Sequence, residues 1–301
     1  MSEGAVPFKR ARKPKWLKVP APGGPNYRRL KQKIDGENLH TVCEEANCPN
    51  VGECWERGTA TFMILGDVCT RRCGFCNVQT GKPSWNDPLE PARVARQVAL
   101  MGLRHAVITS VDRDDLPDYG AGAFVGVIRQ IRRQAPGCQV EILTPDFRGQ
   151  EMPLARVIAE RPDVFNHNVE TVPRLYPLAR RGSAFLRSAR VLAMAKEMGG
   201  EQVVTKSGLM VGLGESFEEM VETFGLLREH QVQVLTVGQY LRPTENHLPV
   251  VRYWHPEEFA ALEREAYALG FESVAAGPLV RSSYHADQNL PESHRAPSLL
   301  A

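Results

Sequence analysis

A chain of 301 residues with 43% hydrophobic, 24% charged and 7% aromatic content has the composition of an ordinary globular protein, which excludes disordered and collagen-like classes. No stretch approaches the roughly 18 consecutive apolar residues of a spanning helix, and the start lacks the apolar core of a secretory signal, so a cytoplasmic protein with no membrane partner is expected. The net charge of +2 hides an asymmetry: residues 1–36 hold ten Lys or Arg against Glu3 and Asp35, which puts +8 on this arm and −6 on the rest.

The arm contains Pro7, Pro14, Pro20, Pro22 and Pro25, so it cannot form one continuous helix, and it reads as a solvated, flexible segment able to attract an acidic partner. Tyr27, Leu30 and Ile34 then repeat at helical spacing, and Gly36 follows as a stop, which predicts a short helix. A cysteine-rich segment comes next. Beyond it, apolar or β-branched runs at 60–65, 105–111, 139–145, 164–171, 203–211, 232–241 and 273–280 predict strands.

Helical periodicity falls between them, at Pro91 to Met101, Ala123 to Gln134, Pro153 to Glu160, Leu186 to Met198, Phe217 to Glu229 and Pro256 to Leu269. Pro91 suits a first turn, Gly199 and Gly270 suit helix stops, and Ser216 with Glu219 reads as a capping box. Alternation of this kind calls for parallel strands joined by crossover helices, in a doubly wound sheet or a barrel. About six repeats fall short of eight and fit an incomplete, partial (β/α)6 TIM-like barrel. In either geometry the chemistry sits at the carboxyl ends of the strands.

Seven cysteines are present, six of them between Cys43 and Cys76. In a chain this long without an export signal, metal or redox chemistry is a better reading than a disulfide framework. Cys69, Cys73 and Cys76 form C-x3-C-x2-C on the loop leaving the first strand. Structural zinc takes four ligands, whereas a 4Fe-4S cluster on three thiols keeps one iron open, so a cluster is favoured over zinc. Arg71 and Arg72 are expected to offset thiolate charge, and Gly74 to let the loop wrap closely. Cys43, Cys48 and Cys54 form a second triad, C-x4-C-x5-C, ahead of the barrel and short of a fourth ligand. Cys138 starts a strand and reads as a buried small hydrophobe at the opposite end of the barrel.

The C-x3-C-x2-C spacing after a first β-strand resembles the radical S-adenosylmethionine superfamily. The preceding C-x4-C-x5-C narrows the resemblance to the lipoyl synthase family, and it continues through Asn166 to Thr171, Gly212 to Glu215, Gln239 to Thr244, His247 to Val250 and Arg281 to Ala286. The resemblance implies three segments: 1–58, the arm with the auxiliary-cluster cysteines; 59–280, the barrel; and 281–301, carrying Arg-Ser-Ser-Tyr. It implies that Cys69, Cys73 and Cys76 hold a 4Fe-4S cluster whose fourth iron is chelated by S-adenosylmethionine, and that reductive cleavage yields a 5′-deoxyadenosyl radical.

The same resemblance implies a second 4Fe-4S cluster on Cys43, Cys48, Cys54 and Ser283. A hydroxyl is the poorer ligand, so the iron on Ser283 is expected to leave most easily, which makes Ser283 the catalytic candidate as well. The implied reaction inserts sulfur from this cluster at C6 and C8 of a protein-bound octanoyl-lysine. The implied partners are octanoylated lipoyl carrier domains (2-oxoacid dehydrogenase acyltransferase subunits and the glycine cleavage H protein), a one-electron reductant such as flavodoxin or ferredoxin, and iron-sulfur carrier proteins.

Asn166, Asn168 and Glu170 alternate along one strand and so share a face. The resemblance supports Asn168 and Glu170 as S-adenosylmethionine contacts, with an internal polar network as the alternative, and Thr109 is a weaker candidate at a strand end. The turn from Gly212 to Glu215 is glycine-rich enough to admit the adenine. His167 is expected on the outer face of its strand, and Arg281 carries no assigned role. Two competing readings are a biotin synthase-like sulfur-inserting enzyme and a non-catalytic iron-sulfur or zinc protein binding RNA through its arm. The N-terminal triad disfavours the first; the absence of an aromatic-rich basic groove disfavours the second, so no nucleic-acid partner is expected.

Overall fold

The computed structural model describes residues 13–19, 21–36, 40–41, 44, 48–56, 61–288, 290–291 and 294. Its strands are β1 (His40–Thr41), β2 (Thr61–Ile64), β3 (Val68–Cys69), β4 (Gln79–Thr80), β5 (His105–Ser110), β6 (Gln139–Leu143), β7 (Val164–Asn166), β8 (Val204–Val211), β9 (Val234–Gln239) and β10 (Ser273–Gly277). The helices are α1 (Pro25–Gly36), α2 (Val51–Glu56), α3 (Glu90–Leu100), α4 (Ala121–Gln134), α5 (Glu151–Ile158), α6 (Tyr176–Ala179), α7 (Phe185–Gly199), α8 (Phe217–Glu229) and α9 (Pro256–Ala268).

The main sheet runs β1-β2-β5-β6-β7-β8-β9-β10. Its seven strands from β2 to β10 are parallel in sequence order, while β1 adds antiparallel to β2. Six of these strands lead into crossover helices (α3, α4, α5, α7, α8 and α9), as a partial β/α barrel requires. The sheet has two ends, at β1 and β10, so the barrel is not closed by strand pairing among the described residues.

The expected elements match closely, and α8 carries the capping box at Ser216 and Glu219. The run expected at 164–171 is strand only to Asn166, after which a single bridge, Glu170 to Leu209, keeps the chain against β8. At the end of α7 the left-handed residue is Gly200 (φ 57°), with Gly199 still helical. The arm is not wholly solvated: among its described residues Leu17 is buried and Trp16 meets His255 edge-on at 5.0 Å.

Side chains inside the barrel form layers, because parallel register brings alternate residues of neighbouring strands to one side. Met63, Thr109, Leu143, Asn166, Lys206 and Val234 follow one another in register. Near the amino ends, Val164, Val204 and Val234 pack with Leu290. The C-terminal segment therefore runs from the carboxyl ends of the strands to their opposite ends, where Gln139 Nε2 also donates to His294 O. Cys138 is buried beside Gln139 at that far end, and burial pushes its thiol up to about 11. Among the described residues, no helix is long and apolar enough to cross a membrane.

Candidate functional site

A cavity of about 320 Å³ opens at the carboxyl ends of the strands. Thr61 and Met63 (β2), Thr109 and Ser110 (β5), Leu143 (β6) and Met210 (β8) line it from the barrel, with Thr144, His167, Asn168 and Glu170 from the loops that follow β6 and β7. Cys69, Cys73 and Cys76 line one side; Cys48, Arg281, Ser282 and Ser283 also border this space. Cys43 lies outside the described residues. Cys54 sits on α2, half-buried and packed against the core.

Cys69 ends β3, and Cys73 and Cys76 occupy the loop from β3 to its parallel partner β4. The backbone N–H groups of Arg71 and Asp112 donate to Cys69 Sγ at 3.4 and 3.3 Å. Burial raises the Cys73 thiol to about 12 and the Cys76 thiol to about 11, and it raises Cys69 with Asp112 adding to the effect. Such thiols ionise only against a strong positive charge, and metal binding displaces their protons. Among the described residues, no three His, Cys, Asp or Glu side chains converge on a single ion.

The Arg71 charge favours the Cys69 thiolate, as expected, though burial and Asp112 outweigh it. The hydrogen bonds of Arg71 go to carboxylates: Nε and Nη2 donate to Asp114 at 2.8 Å, Nη2 donates to Asp146 at 2.7 Å, and Asp112 lies 3.3 Å from Nε. Arg72 is exposed. Arg71 thereby also fastens the cysteine loop to the loops after β5 and β6, and Asp146, which also accepts from Arg187, is held far below the usual carboxylate range despite its burial. The cation facing Cys73 is Arg180, only 7% exposed. Its Nη1 donates to Asn168 O at 2.7 Å, while its Nε is buried without a partner. No local pattern in the sequence marks Arg180, which lies in the loop after α6.

Asn166 and Asn168 separate in the fold. Asn166 donates to Glu141 Oε1 at 2.9 Å within the barrel, joining the internal network weighed as the alternative. Asn168 and Glu170 turn to the cavity, where Asn168 Oδ1 is buried without a partner. Glu170 holds a left-handed φ of 69°, a conformation costly for a side chain with Cβ and concentrated at functional sites. Burial raises its pKa, opposed by Arg180 and Asn168. Thr109 Oγ1 donates to Leu143 O at 3.0 Å on the cavity wall.

Two expectations change here. His167 does not lie on its strand: β7 ends at Asn166, and His167, buried in the loop beyond it, borders the cavity with Nδ1 2.8 Å from Thr144 O. The turn from Gly212 to Glu215 does not border the cavity. Glu215 accepts the N–H groups of Gly212 and Leu213, and a Cβ at Gly212 would run into the Gln239 amide, so the glycine at 212 serves the close approach of the turn to β9.

The second cysteine group faces Arg281. Burial raises the Cys48 thiol, with the Asn50 backbone N–H and the Arg281 charge opposing. Asn50 Nδ2 donates to Leu279 O at 2.7 Å, and Tyr284 OH donates to Glu53 on α2 at 3.1 Å, tying the Arg-Ser-Ser-Tyr segment to the cysteine-bearing helix. Gly238 permits this approach, because a Cβ there would overlap Val280 O. Soft thiols grouped around a cavity, a buried cation beside them and orphaned polar atoms on Asn168, Thr144, Ser110 and His167 fit an iron-sulfur cluster together with a polar, zwitterionic cofactor.

Comparison with known proteins agrees. The family model of the Radical SAM superfamily matches residues 63–227, and that of the N-terminal domain of lipoyl synthase of the Radical SAM family matches residues 5–48. A lipoyl synthase of Rubrobacter xylanophilus is 58% identical, over 96% of this chain and 91% of its own length. A lipoyl synthase of Koribacter versatilis is 53% identical, over 94% and 92%. In fold alone, the chain is similar to the FeFe-hydrogenase maturase HydG from Carboxydothermus hydrogenoformans, with a TM-score of 0.56 and 13% identity over 82% of this chain and 64% of the other. By its cavity thiols, its partial barrel and its identity to these relatives along nearly its whole length, the chain belongs to the lipoyl synthase family of the radical S-adenosylmethionine superfamily.

Proposed function

We propose that this radical S-adenosylmethionine sulfurtransferase inserts two sulfur atoms, at C6 and C8, into an octanoyl-lysine presented by a lipoyl carrier protein. The observation that carries the reading is that the C-x3-C-x2-C thiols and the group of Cys48, Arg281 and Ser283 border the same cavity. A radical generator and a sulfur source must both reach one acyl chain, and a shared cavity supplies that proximity.

Cys69, Cys73 and Cys76 hold the radical-generating 4Fe-4S cluster, and Cys43, Cys48, Cys54 and Ser283 hold an auxiliary one. When bound, these groups supply reductive cleavage of the S-adenosylmethionine sulfonium and the sulfur that is transferred. Arg180 keeps positive charge against the thiolates and Glu170, and Asn168 and Glu170 present oxygen atoms to hydroxyl or amino groups of the cofactor. Thr109 adds a hydroxyl at the end of β5. Met63, Leu143 and Met210 give the cavity an apolar floor suited to an alkyl chain and exclude water from it. The segment boundaries after residues 58 and 280 belong to this reading, as does the attraction of the basic arm for acidic carrier domains.

Mass spectrometry of an octanoyl-lysine carrier peptide tests the proposal, after incubation with anaerobically reconstituted protein, S-adenosylmethionine and a strong reductant. Gain of two sulfurs with loss of two hydrogens is expected. An unchanged peptide from protein that carries both clusters and releases 5′-deoxyadenosine would overturn the substrate assignment.

A further inference from the structure

The loop after β9, residues 240–250, reaches across the cavity and grips the loop that carries Cys73 and Cys76. Leu248 N donates to Gly74 O at 2.9 Å, and Tyr240 OH donates back to Leu248 O at 2.8 Å. A Cβ on Gly74 would approach Leu248 Cγ to 2.9 Å, so glycine is what lets the two loops close on each other. Beside this contact, His247 Nε2 lies 2.9 Å from Cys76 O, and Thr244 Oγ1 lies 2.8 Å from His247 Nδ1.

A carbonyl oxygen only accepts, so Nε2 carries the hydrogen and donates to Cys76 O. In the neutral ring Nδ1 is then an acceptor, and the Thr244 hydroxyl donates to it, fixing both tautomer and ring plane. Arg242 Nε donates to His247 O at 2.9 Å and steadies the same residue from its backbone. The Cys76 peptide is thus held from outside its own loop. Within the loop, the Cys76 N–H donates to Cys73 O at 3.3 Å, closing the turn that carries both thiols.

We propose that His247 is a positioning residue for the C-x3-C-x2-C triad: its Nε2–H clamps the Cys76 carbonyl and thereby holds the turn from Cys73 to Cys76 that sets two of the three sulfurs. The surroundings and exposure of ligating sulfurs tune the reduction potential of a cluster, and loss of an outer supporting partner typically costs about 10–100-fold in activity. The inference rests on the cluster assignment for Cys69, Cys73 and Cys76. Its content beyond that is that a side chain 171 positions away in sequence contributes to the electronic environment of the site.

Three proteins test it: wild type, His247→Leu, which removes the donor, and His247→Gln, which restores an N–H of similar reach. The readouts are the midpoint potential of the cluster whose paramagnetic resonance signal changes on adding S-adenosylmethionine, 5′-deoxyadenosine formation, and alkylation of Cys76 in cluster-free protein. His247→Leu is expected to move the potential away from the wild-type value, slow 5′-deoxyadenosine formation by about 10–100-fold and, by loosening the turn that buries its sulfur, speed alkylation of Cys76. His247→Gln is expected to recover most of the potential and the rate. If His247→Leu does not fold, His247→Asn, polar but too short to reach Cys76, carries the same expectations. A donor-less variant with wild-type potential and rate overturns the proposal; a wild-type protein with no S-adenosylmethionine-sensitive cluster overturns the site assignment itself.

Discussion

Lys206 Nζ lies 2.9 and 3.2 Å from the two carboxylate oxygens of Glu141, with both side chains wholly buried inside the barrel. His105 Nε2 approaches the same carboxylate at 3.2 Å, and Asn166 Nδ2 donates to it at 2.9 Å. Burial alone would raise the Glu141 pKa, but Lys206 and His105 outweigh it and hold the carboxyl at about 2. Desolvation makes such a pair a poor source of net stability, yet removing one member strands a charge in the core.

Lys206→Met is therefore expected to lower unfolding stability by roughly 3–5 kcal/mol, and Lys206→Met with Glu141→Gln to recover much of the loss. Chemical denaturation of the three proteins checks both. Because the folded pKa of Glu141 lies below its unfolded value, its contribution is complete above about pH 4.5 and fades as the pH falls toward 2.

His167 gives a second acid-sensitive group at higher pH. Burial, with Arg180 adding to it, lowers its pKa to about 4. The unfolded chain binds this proton near pH 6.5, so the stability held by neutral His167 is present above that pH and is lost as pH falls toward 4. Replacing His167 by Gln is expected to flatten the stability profile between pH 6.5 and 4, measured by thermal melting across that window.

Glu170→Gln keeps the shape of the side chain and removes its charge. If Glu170 meets ribose hydroxyls, the KM for S-adenosylmethionine rises by about 10–100-fold, in line with a lost charge-assisted hydrogen bond of about 1.5–3 kcal/mol. Initial rates of 5′-deoxyadenosine formation against cofactor concentration measure it, and an unchanged KM refutes the contact.

Gly238→Ala tests the approach of the Arg-Ser-Ser-Tyr segment. The added methyl would overlap Val280 O and meet Arg281 Nη1 at 3.1 Å, so the segment must move away from β9. The barrel is expected to fold, with iron content lowered toward that of one cluster and lipoyl product lost ahead of 5′-deoxyadenosine formation. Iron analysis and product mass spectrometry on one preparation separate the two.

Ser283→Cys replaces a hard oxygen by a soft thiolate and should keep iron at the auxiliary site more firmly. Lipoyl product is expected to fall by about 100-fold, the upper range for a perturbed metal shell, while 5′-deoxyadenosine still forms. Undiminished product would show that a weak oxygen ligand is not needed.

Much of the scaffold was legible because its signals are local. Phe217–Glu229 is bounded by a cap at Ser216 and shows helical periodicity throughout, so both ends of α8 follow from sequence. Cysteine spacing likewise marks the loop that must wrap a metal group. Relations made only by the fold were not legible. Arg180 and His247 reach the triad from loops 107 and 171 positions beyond Cys73 and Cys76 respectively, and no spacing rule links them. Alternation failed at His167 because β7 stops at Asn166, after which side-chain direction follows the loop. The bracing role of Arg71 was hidden for a related reason: Asp112, Asp114 and Asp146 come from two other strand ends, and their convergence on one guanidinium is a tertiary fact.

The C-terminal segment has a mechanical consequence. Ser283 lies between anchorages on both sides: Leu279 and Val280 held by Asn50 and by the notch at Gly238 before it, and Tyr284 on Glu53, then Leu290 wedged among Val164, Val204 and Val234, after it. A stretch fastened at both ends can swing without detaching, and the entropy gained is that of a short loop rather than of a free tail. Ser283 is therefore carried by a short strap rather than a free tail, and a local shift of that strap leaves the barrel folded.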